Sequence, residues 1–283
     1  MLFLLDIRNA FLHSTQPTNT LQQVWTRYFP LSIYVRDTIT SGKLGTVYRT
    51  SADLSMSMAP EETFADSHRM VNPDLAGGAL LDLGIYALTW VFQTLYTTQK
   101  NPQAPSSVLG AIRKYKTGAD EHTSMLLTFP REDGEGGDAH GIATTSMRVA
   151  ADPDGKGTAG PAIRVQGSEG EVQIFHPAYR PSRTKLILKD GTVEEKNWEF
   201  PGPGKGSGWK NGFGGGWQAE GEGQGMYWEA DECANAIRDG RKEGRYESLE
   251  ESLVIMRTMD EVRRQNDMKY PEKIETVEYP VEL

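Results

Sequence analysis

Cysteine occurs once in the 283 residues, as Cys233. One thiol excludes an internal disulfide and a cysteine zinc cluster, which fits a reducing compartment. It sits inside an apparent helix, "WEADECANAIRDG", with no histidine near it in sequence, so it reads as a small packed residue rather than a nucleophile. Histidine is scarce too. His13, His68, His122, His140 and His176 show no i, i+4 pair and no metal-ligand spacing, so each reads as a loop or surface residue and no metal is expected. Basic charge is in deficit, with 30 Lys and Arg against 39 Asp and Glu and a net charge of −9. That balance argues against a nucleic-acid partner, which needs a basic face to displace counterions. No run approaches the roughly 18 apolar residues of a membrane span. The opening "MLFLLDIRNAFLH" is broken by Asp6 and Arg8 and has neither a basic leader nor a cleavage site, so it does not read as a secretory signal. The cytosol is the expected location. A strand followed by G-x-G-x-x-G and a helix is also lacking, and "GPGKGSG" puts Gly206 where a phosphate loop needs serine or threonine after its lysine.

What is present is enough for a sizeable core: 37% of the residues are hydrophobic. Residues 1–23 fit no pattern, since a short apolar run gives way to "HSTQPTNTLQQ" with Pro17. From residue 24 the pattern becomes regular. "PLSIYVRDTITSGKLG" predicts a helix that places Ile33, Val35 or Arg36, and Ile39 on one face and stops at Gly42, and "GTVYRTSADLS" alternates like a strand. The apolar stretch from Ala79 to Tyr96 predicts the first long helix. Seven strand-like runs follow between residues 107 and 200, among them a hairpin in "VQGSEGEVQI" with Gly167 and Gly170 able to take positive φ around the reversal. Short connections between consecutive strands demand antiparallel pairing. Helices over residues 226–239 and 248–265 close the chain, so the expected fold is α+β: an open, mainly antiparallel sheet with helices packed on one face, spanning residues 24–283. Glycine-rich excursions near 130–160 and 201–225 are expected as loops, the second with eleven glycines.

Two places carry chemistry. Asp82 and Tyr86 lie four residues apart, on one face of the predicted helix, where an acid and a phenol could act together. Asp82 could equally answer the helix dipole. "WTRYFP" gathers Trp25, Arg27, Tyr28 and Phe29 into a strand end that buries aromatics or a pocket wall.

Taken together, "VWTRYFP", "ITSGKLGTV", "NPDLAGGALLDLGIYALTW", "VQGSEGEVQI", "GMYWEADECANAIRDG" and "LEESLVIMRTMDEVRRQNDMKYPEKIE" resemble the carboxy-terminal domain of the Gfo/Idh/MocA oxidoreductases. The likeness runs from about residue 24 to 279 and is to the branch of fungal NADP-dependent D-xylose 1-dehydrogenases and dimeric dihydrodiol dehydrogenases. It implies an NADP- or NAD-dependent dehydrogenase acting on a sugar or diol hydroxyl, and a homodimer formed through the sheet. By the same resemblance Tyr86 is the acid or base toward the substrate hydroxyl and Asp82 orients it or the substrate, while Trp25, Arg27 and Asn72 line the substrate site. The family's nucleotide-binding half and its Glu-Lys-Pro lysine motif do not occur in these residues; the nearest string, "PEK", is at 271–273, and Gln22 stands where the branch places a glutamate. The expectation is therefore a truncated chain without the cofactor-binding domain, with residues 1–23 as translated non-coding sequence or a wrongly chosen start. The alternatives are a catalytically inactive sugar-binding or dimerisation module and a fragment that does not fold alone.

Overall fold

The computed structural model describes residues 24–132, 134–210 and 220–276. The atypical segment 1–23, with Gln22 and His13, and the middle of the second glycine-rich excursion lie outside the described residues. Among the described residues a 3-10 turn, Trp25–Tyr28, comes first and leads into α1 (Pro30–Thr40), which begins with proline at its first position, where the missing N–H costs nothing. The buried face of α1 is Leu31, Ser32, Val35, Arg36 and Thr38, so Ile33 and Ile39 are only partly covered. Gly42 takes φ +77° just beyond it, as the sequence suggested.

Eight strands form one sheet: β1 (Val47–Ser55), β2 (Ser107–Lys114), β3 (Asp120–Phe129), β4 (Ala139–Ser146), β5 (Pro161–Gly167), β6 (Gly170–Phe175), β7 (Arg183–Leu188) and β8 (Val193–Asn197). Their order is β2-β3-β4-β1-β5-β6-β7-β8, and every adjacent pair is antiparallel except β1 with β4. That parallel pair is possible because a long excursion, carrying a helix and the β2–β3 hairpin, separates the two strands in sequence. The mainly antiparallel open sheet is thus borne out, with a mixed centre.

The β5–β6 hairpin forms where expected, but neither Gly167 nor Gly170 has positive φ. Close approach explains both glycines. A Cβ on Gly167 would lie 2.1 Å from the Leu44 carbonyl oxygen, and one on Gly170 would lie 2.3 Å from that of Ile187.

The helix expected from Ala79 to Tyr96 forms as two pieces, a π-helical turn Leu80–Gly84 and α2 (Ile85–Leu95). All of Ala87 to Leu95 is buried, because α2 lies across β1 and β4. Gly141 of β4 makes room for it, since a Cβ there would sit 2.3 Å from Cγ1 of Val91. The stretch Pro73–Leu95 is long and apolar enough by composition to cross a bilayer, contrary to the sequence reading, and 67% of its most apolar window is buried inside the fold. α3 (Tyr227–Arg238) packs on the opening 3-10 turn, and α4 (Leu249–Gln265) packs on β2 and touches α2. Ser248 caps α4 by accepting from the Glu251 amide at 3.1 Å. The long helices α2 and α4 cover one face of the sheet; on the other, Leu109, Leu126 and Arg164 reach solvent.

Candidate functional site

The turn that begins α2 is built on a tight loop. Asn72 caps the short 3-10 turn Pro73–Leu75, its side chain accepting from the Asp74 amide at 2.9 Å. Its backbone oxygen also accepts from Leu75 and Gly77. Asn72, expected at the substrate site, thus shapes the loop, with its side-chain oxygen engaged within the turn.

Asp82 and Tyr86 emerge from this loop onto the first turns of the helix, and each has its own partner. Asp82 Oδ1 accepts from Arg69 at 2.6 Å. The Tyr86 hydroxyl oxygen accepts from Trp25 Nε1 at 2.8 Å, with the two rings edge to face at 6.4 Å. Asp82 and Tyr86, expected to act together from one helix face, thus each bond a different neighbour, with Asp82 inside the π-helical turn and Tyr86 on the helix beyond it. Burial pushes the Tyr86 phenol above its ordinary pKa, the Trp25 bond opposes this, and the charges of Asp82 and Glu229 add to it. Tyr86 is accordingly protonated at neutral pH. Since its oxygen is the acceptor in the Trp25 bond, its own O–H remains to be given to a ligand.

Tyr179, which the sequence reading missed, completes the aromatic group. Its ring lies 6.0 Å from Tyr86 and 6.1 Å from Trp25. Thr26 Oγ1 donates to its backbone oxygen at 2.6 Å. Burial and Tyr86 together push its phenol up to about 12, against the pull of Arg180. Tyr179 lines a cleft of about 680 Å³, together with Met56, Met58, Asp152, His176 and Arg183. Burial lowers the pKa of His176 there, and Asp152 and Asp53 partly offset it. A second hollow of about 220 Å³ is lined by Arg69, Gly77, Gly78, Leu81 and Asp82. No spacing in "HPAYRPS" marks Tyr179, and nothing links Arg69 to Asp82 before the loop folds.

Arg27 is not a pocket residue. It is fully buried, and its guanidinium forms a two-pronged pair with Glu251, Nη1 to Oε1 at 2.7 Å and Nη2 to Oε2 at 2.8 Å. Its Nε and Nη2 also donate to the Tyr246 carbonyl. Every nitrogen is engaged inside the fold, so the substrate-binding role expected of Arg27 is replaced by a core ion pair. Trp25, in contrast, lies beside Tyr86. It belongs to a buried 3-10 turn rather than a strand end. Cys233 is half-buried on α3 with a free thiol.

Residues 33–173 match the GFO/IDH/MocA C-terminal domain family. Over 266 residues the chain is 48% identical to the D-xylose 1-dehydrogenase (NADP(+)) of Hypocrea jecorina, covering 92% of this chain and 62% of that protein. It is 28% identical over 252 residues to human trans-1,2-dihydrobenzene-1,2-diol dehydrogenase, covering 89% and 63%. The chain thus spans a little over three fifths of the length of these relatives. Two solved structures share the fold. An oxidoreductase from Sinorhizobium meliloti gives a TM-score of 0.64 at 15% identity, covering 95% of this chain and 68% of that one. The aldose-aldose oxidoreductase of Caulobacter crescentus, complexed with glycerol, gives 0.59 at 18%, covering 85% and 59%.

Such relatives imply a nicotinamide cofactor. Among the described residues no glycine-rich turn joins a strand to a helix in the way that cradles a pyrophosphate. These residues do not fit the dinucleotide.

Proposed function

We propose that this chain supplies the substrate-binding part of an NADP- or NAD-dependent oxidoreductase that oxidises a hydroxyl of a sugar or a diol, with D-xylose as the first substrate to try. The observation that carries this reading is the Trp25–Tyr86–Tyr179 group, of which Tyr179 lines an open cleft, in a chain 48% identical to a D-xylose 1-dehydrogenase. In the oxidising direction Tyr86 first gives its own proton to solvent and then, as phenolate, takes that of the reacting hydroxyl as the hydride leaves. Asp82 adds its charge to the burial that raises the phenol's pKa and, with Arg69, offers a polar edge to neighbouring hydroxyls. Tyr179, which lines the cleft, supplies an apolar face for the sugar ring, and Trp25 backs Tyr86 and Tyr179 from the core. The nicotinamide, held by residues other than those described, supplies acceptance of a hydride.

The test is NADPH formation on D-xylose and on a trans-dihydrodiol by the 283-residue chain joined to the nicotinamide-binding domain of such a dehydrogenase. Turnover abolished by Tyr86→Phe supports the reading, and turnover unaffected by that change overturns the role of Tyr86. A second reading, a sugar-binding or dimerisation module without redox activity, is favoured by the lack of a pyrophosphate cradle among the described residues. Saturable quenching of tryptophan fluorescence by NADP counts against it. The proposal includes a homodimer through the helix-free sheet face, where Leu109 and Leu126 are 57% and 41% exposed. Light scattering that gives a monomer mass refutes that part. A cytosolic location, also proposed, is checked by cell fractionation.

A further inference from the structure

The loop that delivers Asp82 and Tyr86 is held from beneath by a carboxylate on another element. Asp120, the first residue of β3, is fully buried, and its Oδ2 accepts from the Leu80 amide at 2.7 Å and from Thr123 Oγ1 at 2.8 Å. Leu80 opens the π-helical turn that contains Asp82 and runs directly into the helix bearing Tyr86. The neighbouring glycines are fitted to the same grip. Gly78 has φ +138°, and a Cβ on it would lie 2.0 Å from Asp120 Oδ1. A Cβ on Gly77 would lie 2.5 Å from the carbonyl oxygen of Arg69, the residue that pairs with Asp82. The Tyr270 hydroxyl donates to the Gly77 carbonyl at 3.2 Å from the far end of the chain.

We propose that Asp120 is a positioning residue for this site: through the Leu80 amide it fixes the turn that sets Asp82 against Arg69 and Tyr86 against Trp25. The inference rests on the reading of Tyr86 given above. A buried carboxyl is costly to keep, and two hydrogen bonds offset only part of that cost. Its pKa accordingly rises to about 6, through burial opposed by those bonds and by Arg263 of α4, with the Tyr270 phenol as its other titratable neighbour. An alanine or threonine would suffice merely to fill the space. An acceptor is needed at this point because the first amides of a helix have no partner of their own, and Leu80 is covered by protein rather than water.

The test is hydrogen–deuterium exchange on the full chain, read by peptide, for Asp120→Ala, Asp120→Asn and Thr123→Val, alongside steady-state kinetics. In Asp120→Ala, peptides covering residues 79–90 are expected to exchange about tenfold faster while α4 peptides keep the wild-type rate, as loss of a charged hydrogen bond implies. Asp120→Asn, which retains an oxygen acceptor, is expected to restore most of the protection. Thr123→Val leaves the carboxylate in place but less well oriented, and gives a smaller acceleration in the same peptides; it serves where the alanine variant does not fold. Faster exchange spread evenly over the sheet, or no acceleration in 79–90, overturns the proposal. If the wild-type chain oxidises no sugar, the exchange pattern still decides the positioning claim. If it does oxidise sugar, and Asp120→Ala loosens residues 79–90 with kcat unchanged, the positioning role fails while the dehydrogenase reading stands.

Discussion

Replacing Arg27 by methionine separates two accounts of the opening turn, because a pocket arginine and a core ion pair respond to that change in different observables. The Arg27 side chain has 0% and the Glu251 side chain 3% exposure, and the pair meets through two short bonds. Arg27→Met leaves the Glu251 carboxylate buried with Thr97 Oγ1 as a remaining donor and the Tyr246 carbonyl without its guanidinium partner. Breaking a buried pair from one side typically costs about 3–5 kcal/mol. For a domain of this size each kcal/mol lowers Tm by about 2–4 °C, so a drop on the order of 6–20 °C is expected by calorimetry. The double change Arg27→Met with Glu251→Leu removes both charges, and replacement of a whole buried pair by apolar groups is often close to neutral. It is expected to recover most of the loss. Substrate affinity should move little in any variant that remains folded. The reasoning is refuted if Arg27→Met leaves Tm within about 2 °C of wild type while KM for sugar rises tenfold or more, the response of an arginine that touches substrate.

Tyr86→Phe removes the O–H but keeps the ring against Trp25 and Tyr179, so kcat is expected to fall by about 10²–10⁴ with little loss of stability, measured by turnover and Tm together. Gly78→Ala drives a methyl into Asp120 Oδ1 at a backbone angle of +138°, and should lower Tm clearly more than the same change at exposed Gly240, where nothing lies within 4 Å. Burial pushes the fully buried Glu247 up to about 8 from its ordinary 4.5, opposed by Arg27 and reinforced by Glu251. A raised carboxyl pKa means that the folded chain binds the proton more tightly than the unfolded one. Its stabilising contribution is therefore complete below pH about 4.5 and is lost as pH rises to about 8. Urea midpoints across that window should decline, and Glu247→Gln should flatten the decline.

The fold was legible wherever one local pattern decided it. Strand alternation, the proline that opens α1, Gly42 beyond its end and Ser248 before α4 are all local signals, and the elements they mark formed within a few residues of expectation. The parallel β1–β4 pair was not legible, because it joins strands far apart in sequence whose other neighbours are antiparallel. Gly167 and Gly170 show a subtler failure. Their places in the hairpin were right, but a glycine permits both positive φ and close backbone approach, and sequence does not say which of the two a position uses.

The site divides along the same line, since what the sequence could offer was residues on one element and what the fold supplies is partners from others. Asp82 and Tyr86 were visible as an i, i+4 pair. Yet the bonds each makes, to Arg69 across the glycine loop and to Trp25 across 61 positions, depend on how that loop is tied down. Arg27 was misjudged for a related reason: an arginine beside three aromatics looks like a pocket wall until Glu251, two hundred positions later, closes on it. Asp120 went unnoticed altogether. It begins a strand among polar residues, and only the approach of Gly78 and the Leu80 amide gives its carboxylate a task. A polar residue on one strand thus fixes the geometry of a helix forty positions away, and this is why the chemistry of the site follows from loop 72–80 and its clamps more than from the spacing of Asp82 and Tyr86 alone.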